Sequence, residues 1–174
     1  MLKVLWTSEN PEYHGEFIDF SGVCFEPRPV QKPHPPIWIG GSSMAALRRA
    51  ARVGNGWHPA GSQGGTGPWL NSVIDLPAFL AEARQVPGFA EREADFEIAL
   101  PISNIRFGPN HEPLPGAAGP PRSTQEVIDR VGELQDAGVR WTSVWRPDAA
   151  PARSIEDHLE GLAWAATEVI PAFR

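Results

Sequence analysis

Lysine is almost missing from this 174-residue chain, with only Lys3 and Lys32 present. Against 15 basic residues stand 21 acidic ones, for a formal net charge of −6. A nucleic-acid surface needs clustered cations over a wide footprint, so that class of partner is excluded. The densest basic group, Arg48, Arg49 and Arg52, falls at helical spacing and reads as a solvated helix face. Cys24 is the one cysteine, which rules out an internal disulfide and a thiolate metal cluster. The five histidines, His14, His34, His58, His111 and His158, show no ligand spacing such as His-x-x-x-His, so no metal site is expected. No apolar run approaches the ~20 residues of a membrane span, and no secretory segment opens the chain. Together these absences predict a cytoplasmic protein that engages neither membrane nor nucleic acid. A Gly-x-Ser-x-Gly elbow, a Walker loop and a glycosidase-like carboxylate pair are missing as well.

What the chain has in quantity is punctuation and indole. Nineteen prolines and 17 glycines imply many short elements joined by specific turns, and 41% hydrophobic residues argue against disorder. Seven tryptophans suggest aromatic-lined concave surface in addition to core.

Residues 1–7 read as the last turns of a helix. Residues 13–25 alternate apolar and polar positions across Ser21-Gly22, a hairpin signal. Pro27, Pro29, Pro33, Pro35 and Pro36 then deny helix and central strand alike. Pro36-Ile37-Trp38-Ile39-Gly40-Gly41 is a short apolar run ending in glycine, as expected of a buried parallel strand. Ser42 or Ser43 caps a helix with Met44, Leu47 and Ala51 on its buried stripe, and Gly54 closes it. Residues 55–59 form a second strand that leads into a glycine-rich loop at 61–68, followed by a helix over 75–84. A strand over 96–107 passes into a loop rich in proline and glycine at 108–122. Ser123-Thr124-Gln125-Glu126 opens a helix with Val127, Val131 and Leu134 inward and Gly138 at its end. Residues 139–145 are the last β-rich run. Ser154 caps a final helix whose stripe of Ile155, Leu159, Leu162, Ala166 and Val169 is spaced for burial until Pro171. Alternation at this spacing implies an α/β fold with parallel pairing through right-handed crossovers, a hairpin followed by (βα)4.

A strand ending in Gly-Gly that enters a Ser-capped helix brings backbone N–H groups and a positive helix terminus to one point. Gly40-Gly41-Ser42-Ser43 is therefore a candidate anion cradle, although a tight βα turn with an ordinary cap has the same local sequence.

Pro-Pro-Ile-Trp-Ile-Gly-Gly-Ser-Ser, followed by Ala-Leu-Arg-Arg-Ala-Ala-Arg-Val-Gly-Asn-Gly-Trp-His-Pro, resembles one block of the luciferase-like monooxygenases, most closely their F420-dependent branch. The preceding Leu-Trp-Thr, Phe-Ile-Asp-Phe and Phe-Glu-Pro-Arg-Pro-Val-Gln are similar to that family's approach to the block, so the resemblance covers residues 1 to about 60. Two positions depart from it: Asn55 stands where Asp is usual, and Met44 where Pro is frequent. The resemblance implies a (β/α)8 barrel of TIM type, with this block as its fifth strand, the following helix and its sixth strand. Residues 1–174 would then be one luciferase-like domain, its C-terminal portion, with a helix end and hairpin insertion over 1–35 and four βα units over 36–174. It further implies a cofactor phosphate at Gly40, Gly41, Ser42 and Ser43, with Trp57 and His58 close by.

Beside that site, His58 is a candidate hydrogen-bond donor or acid/base group, or a histidine bonded to a loop carbonyl. The 108–122 loop, with Arg106 and His111 near it, is a candidate lid or a plain surface loop. Trp141 and Trp145 share one side of their strand and are expected in barrel packing. No catalytic acid or base is named by these residues.

The expected function is a two-electron oxidoreduction of a small organic substrate, by hydride exchange with F420 or by FMN-dependent monooxygenation. The alternative is a truncated half-barrel without activity, binding a phosphate or complementing a missing N-terminal half. Half a barrel leaves strand edges and apolar surface open, which favours homo-oligomers. A carbohydrate-active barrel using its tryptophans as sugar platforms is the third class.

Overall fold

The computed structural model describes residues 1–59, 70, 72–102, 121–147 and 154–173. The expected loop at 61–68, most of the candidate lid at 108–122, and Arg106 and His111 lie outside the described residues. The chain divides into two compact units, Met1–Ile37 and Trp38–Arg174.

The first unit opens with α1 (Leu2–Thr7), then pairs β1 (Tyr13–His14) with β2 (Asp19–Phe20) antiparallel. The hairpin turn is not at Ser21-Gly22. It closes over residues 15–18, where the Gly15 N–H donates to the Ile18 carbonyl at 2.9 Å. Cross-strand chemistry explains that register. Tyr13 stacks on Phe20 with centroids 6.2 Å apart, and His14 Nδ1 meets Asp19 Oδ2 at 3.0 Å. Gly22 still takes a positive φ of 64°, so the Ser-Gly pair bends the chain after the hairpin instead of within it.

The second unit carries a parallel sheet in the order β3 (Trp38–Gly40), β4 (Gly56–His58), β5 (Glu97–Ile98). A single parallel bridge, Ala99 to Trp141, attaches the 139–145 run as a fourth position. These strands are shorter than their apolar runs because proline interrupts the ladder. Pro36 precedes β3, Pro59 follows β4 and Pro101 follows Leu100, each lacking the N–H that continued pairing needs. Between the strands lie α2 (Met44–Val53), α3 (Leu76–Ala83) and α4 (Thr124–Asp136), and α5 (Ile155–Trp164) comes last.

Register divides the sheet into two faces. Ile39, Trp57 and Ile98 pair side by side and turn toward the helices, where Leu47, Leu76, Phe79, Val127 and Leu134 complete the core. The alternate positions, Trp38, Gly40 and His58, are exposed on the other face. There the Trp38 indole lies across β4, so close that a Cβ on Gly56 would stand 2.7 Å from it, and its edge meets Trp141 at 5.8 Å. Trp141 and Trp145 are exposed, not packed in a barrel interior as expected, because nothing among the described residues covers that face.

Helix α2 is held at both ends. Ser43 caps the start through the Ala46 N–H at 3.2 Å. At the other end Arg92, lying over the Phe89 ring, donates to the carbonyls of Gly54 at 2.6 Å and of Ala51. A guanidinium there satisfies orphan carbonyls and complements the negative end of the helix dipole. Gly54 itself has φ −93°, an extended conformation, so the helix stops without the left-handed glycine that its sequence suggested. Gly138, with φ +86°, does end α4 in that way.

The apolar stripe of α5 departs furthest from expectation. Ile155 is 74% exposed, Leu159 58% and Leu162 68%, whereas Val169, in the π turn after the helix, is buried. The capping box of Ser154 and Asp157 forms as the sequence implied. A cap acts within one turn, while burial needs a neighbouring element, and the described residues bring none to this face.

Candidate anion site at the first βα turn

The turn at residues 40–43 joins the C-terminal end of β3 to the N-terminus of α2. Gly41 has φ +111°, a region that side chains avoid, and a Cβ there would stand 3.2 Å from the Ala46 Cβ. Gly40 is different, since a Cβ would meet nothing nearer than the His58 carbonyl at 4.0 Å. Only the second glycine is required by the backbone.

Backbone hydrogen bonds tie the turn into the protein. The Gly41 N–H donates to the His58 carbonyl at 3.1 Å, which ties the turn to the end of β4. The Gly41 carbonyl accepts the Trp57 indole N–H at 2.7 Å. The Ser42 carbonyl accepts from the Leu70 N–H at 2.9 Å, and the Ser43 carbonyl from the Leu47 N–H at 3.1 Å. Three successive carbonyl oxygens are thus engaged by the protein. Ser42 is 2% exposed. Ser43 Oγ accepts from Ala46 and retains its own hydrogen to donate. The N–H groups at the start of α2 have no intrahelical acceptor, and its first turn holds no acidic side chain to oppose an anion.

Of the six residues singled out from the sequence, five surround this turn as expected by position: Gly40, Gly41, Ser42 and Ser43 form it, and His58 is exposed opposite Gly40 in the register of β3 and β4. Trp57 is also adjacent, but from behind. It is fully buried, stacks on Phe79 with centroids 6.0 Å apart, and spends its one indole donor on Gly41. Strand alternation was the available signal for this, because neighbours His58 and Trp57 must face opposite sides of the sheet. Leu70 was not singled out at all. Its part is played by a backbone N–H arriving from beyond the glycine-rich segment, which leaves no mark in residue type.

Two other concavities lie in the second unit. A groove of about 630 Å³ lined by Val131, Leu134, Val139, Trp141, Val169 and Phe173 flanks the sheet edge opposite β3. A smaller one, about 480 Å³, brings Arg122 and Arg146 to the start of α4, where Arg146 is already paired with Glu160 at 3.4 Å. Among the described residues no group of three or more His, Cys, Asp or Glu side chains is placed to hold a metal ion. No helix among them is long and apolar enough to cross a membrane.

The model of the luciferase-like monooxygenase family matches residues 1–75, a span that includes the hairpin, the 40–43 turn, α2 and β4. Over those residues, the chain is similar to that family. A stretch of 57 residues is 46% identical to an FMNH2-dependent dimethylsulfone monooxygenase of Pseudomonas putida, covering 33% of this chain and 15% of that protein. An uncharacterised protein of Mycobacterium tuberculosis is 35% identical over 170 residues, 94% of this chain and 48% of its own length. The chain spans about half the length of that relative. Among solved structures, the F420-dependent tetrahydromethanopterin reductase of Methanopyrus kandleri superposes with a TM-score of 0.68 at 14% identity, covering 99% of this chain and 60% of that one. An F420-dependent secondary alcohol dehydrogenase in complex with an F420–acetone adduct gives 0.65 at 14% identity, over 99% and 59%. That likeness is one of fold. The chain has the α/β architecture of part of a TIM-type barrel.

Proposed function

We propose that the luciferase-like chain grips the phosphate of a flavin-type cofactor at Gly40, Gly41, Ser42 and Ser43, as part of an oxidoreductase acting on a small organic substrate. The observation that carries this is the anchoring of the turn where α2 begins, with three consecutive carbonyls bonded into the protein. Such a turn suits a phosphate: it lies at the positive end of α2, the Ser43 hydroxyl can donate, the first turn of the helix lacks carboxylates, and Gly41 keeps Cβ bulk away. His58, exposed beside Gly40, is the side chain next in line to meet whatever extends from the phosphate across the sheet. Trp57 contributes as the support of the turn. When bound, the cofactor supplies the two-electron chemistry, and the protein supplies grip, orientation and exclusion of water.

F420 is the first candidate, since the two fold neighbours named above are F420-dependent proteins. FMN is the second, favoured by the 46% identity of a 57-residue stretch to an FMNH2-dependent monooxygenase. The proposal includes the domain organisation: residues 36–174 supply βα units of the C-terminal portion of a barrel, and residues 1–35 a helix end and hairpin that precede them.

Titrating F420 and FMN separately into the purified chain, with cofactor fluorescence as readout, tests the proposal. A saturable change with one of them, reversed by excess inorganic phosphate, is expected. Unchanged fluorescence at high-micromolar protein with both cofactors would sink it, and saturation that phosphate does not reverse would move the binding site away from the turn.

A further inference from the structure

The parallel sheet of the second unit ends openly on both sides. Among the described residues β3 pairs with β4 alone, and the 139–145 run pairs on one side only, across the bridge from Ala99 to Trp141. Each outer position therefore presents backbone N–H and C=O groups to no neighbouring strand. Trp38, Trp141 and Trp145 stand open in the same unit, each a third to just over half exposed. Together they leave on the order of 300 Å² of indole uncovered, against roughly 800 Å² per partner in a stable interface. The chain covers 60% and 59% of the two barrels it superposes on, so the fold leaves room for further strands at these edges.

The helices that follow the two outer positions carry opposite charge. Helix α2, after β3, holds Arg48, Arg49 and Arg52 and no acidic residue. Arg48 is turned to α3, where it meets Glu82 at 2.8 Å. Arg49, about 100° further round the helix, is exposed on the flank away from α3, with the half-exposed Val53 beside it. It meets no carboxylate among the described residues. Helix α5, after the 139–145 run, holds Glu156, Asp157 and Glu160 and neither Lys nor Arg. Its Trp164 is turned to α4, donating to Thr124 Oγ1 at 3.2 Å, so the exposed stripe of Ile155, Leu159 and Leu162 lies on the flank away from α4. Glu156 borders that stripe, exposed, and meets no cation among the described residues.

We propose that a second copy of this chain closes the sheet, β3 of each copy pairing with the 139–145 run of the other. Four parallel positions from each copy give the eight of a closed barrel. A single two-fold axis forms both seams at once, because such an interface uses the same surfaces of both partners. In each seam α2 of one copy lies beside α5 of the other, which sets Arg49 and Val53 against Glu156 and the apolar stripe. Complementarity between two flanks of one chain is what self-association requires, and strands of any other origin would not bring these two flanks together. The inference is independent of what the 40–43 turn binds.

Sedimentation velocity of the purified chain across the micromolar range tests it. A species of twice the chain mass is expected, dissociating on dilution to a monomer whose α5 stripe is exposed. Arg49→Glu and Glu156→Arg each set like charges against one another in both seams, and each should weaken the dimer at least about tenfold. The double variant restores opposite charges and should recover most of the loss. Both residues are exposed in the single chain, so circular dichroism of the three variants should match that of the unaltered protein. A chain that stays monomeric at high-micromolar concentration overturns the proposal. So does a dimer that ignores both single reversals, or one that the double variant fails to restore. Assemblies that keep growing with concentration overturn it too, since two closed seams leave no edge free.

Discussion

Helices α2 and α5 begin alike and end differently. Both are ten residues long, both are capped by a serine that accepts from the N–H three residues on, and both carry an apolar stripe at helical spacing. In α2 the stripe is buried, with Leu47 at 0% exposure and Ala46, Ala50 and Ala51 beside it. In α5, Leu159 and Leu162 remain more than half exposed. The difference teaches that periodicity selects which face of a helix is apolar, and that only a second element decides whether the face is covered. Helix α2 lies against β3, β4 and α3, whereas α5 touches the rest of its unit mainly through its C-terminal turns. The 40–43 turn, where the phosphate site is proposed, sits on the helix that is anchored, as a site needing fixed dipoles requires.

Substitutions along the two helices break or sharpen that contrast. The largest effect belongs to Leu47→Ala, which opens a cavity in the core and should cost roughly 2–5 kcal/mol in urea unfolding followed by circular dichroism. A loss below 1 kcal/mol would mean that α2 is not the anchored helix. Next is Arg92→Ala, which removes a charged donor from the C-terminal carbonyls of α2. Its expected cost is about 1.5–2 kcal/mol, and Arg92→Lys should recover only part, since an ammonium cannot span two carbonyls with a fork.

The two caps make a matched pair. Ser43→Ala and Ser154→Ala should each cost about 1 kcal/mol of stability. Only Ser43→Ala should also weaken binding of the phosphorylated cofactor, by about three- to tenfold, while Ser154→Ala leaves it unchanged in the same fluorescence titration. Equal effects of both on binding would place the phosphate away from the 40–43 turn. The smallest change is expected from Leu159→Ala, less than ~0.5 kcal/mol, as for an exposed site. A cost like that of Leu47→Ala would show that a partner or a further segment covers α5.

The pattern of elements was legible because its signals are local. Ser43, Ser123 and Ser154 are caps where the sequence implied them, and the Gly138 stop and the parallel order of β3, β4 and β5 follow from spacing and crossover rules. The position of the candidate site was legible for the same reason: a glycine pair between a strand and a capped helix is a contiguous feature. Its workings were not. Trp57 read as a group beside the ligand, yet its burial and its bond to Gly41 depend on β4 lying next to β3 and on Phe79 arriving from α3. The bond from the Leu70 N–H depends on Leu70 and Ser42, far apart in the chain, meeting in the fold. The exposure of Trp141 and of the α5 stripe is a statement about neighbours, which no periodicity contains.

By itself, the sequence determined that this chain alternates strands and helices, where each helix starts, and that a glycine-bearing turn joins a strand to a capped helix at residues 40–43. Those outcomes rest on forces acting across three or four residues: capping bonds, proline's missing donor, glycine's freedom in φ. Tertiary structure alone decided which stripe became core and which way the turn's carbonyls face. Both depend on contacts between residues far apart in the chain, such as Trp57 with Gly41 and Leu70 with Ser42, and these exist only once the sheet and its helices have packed.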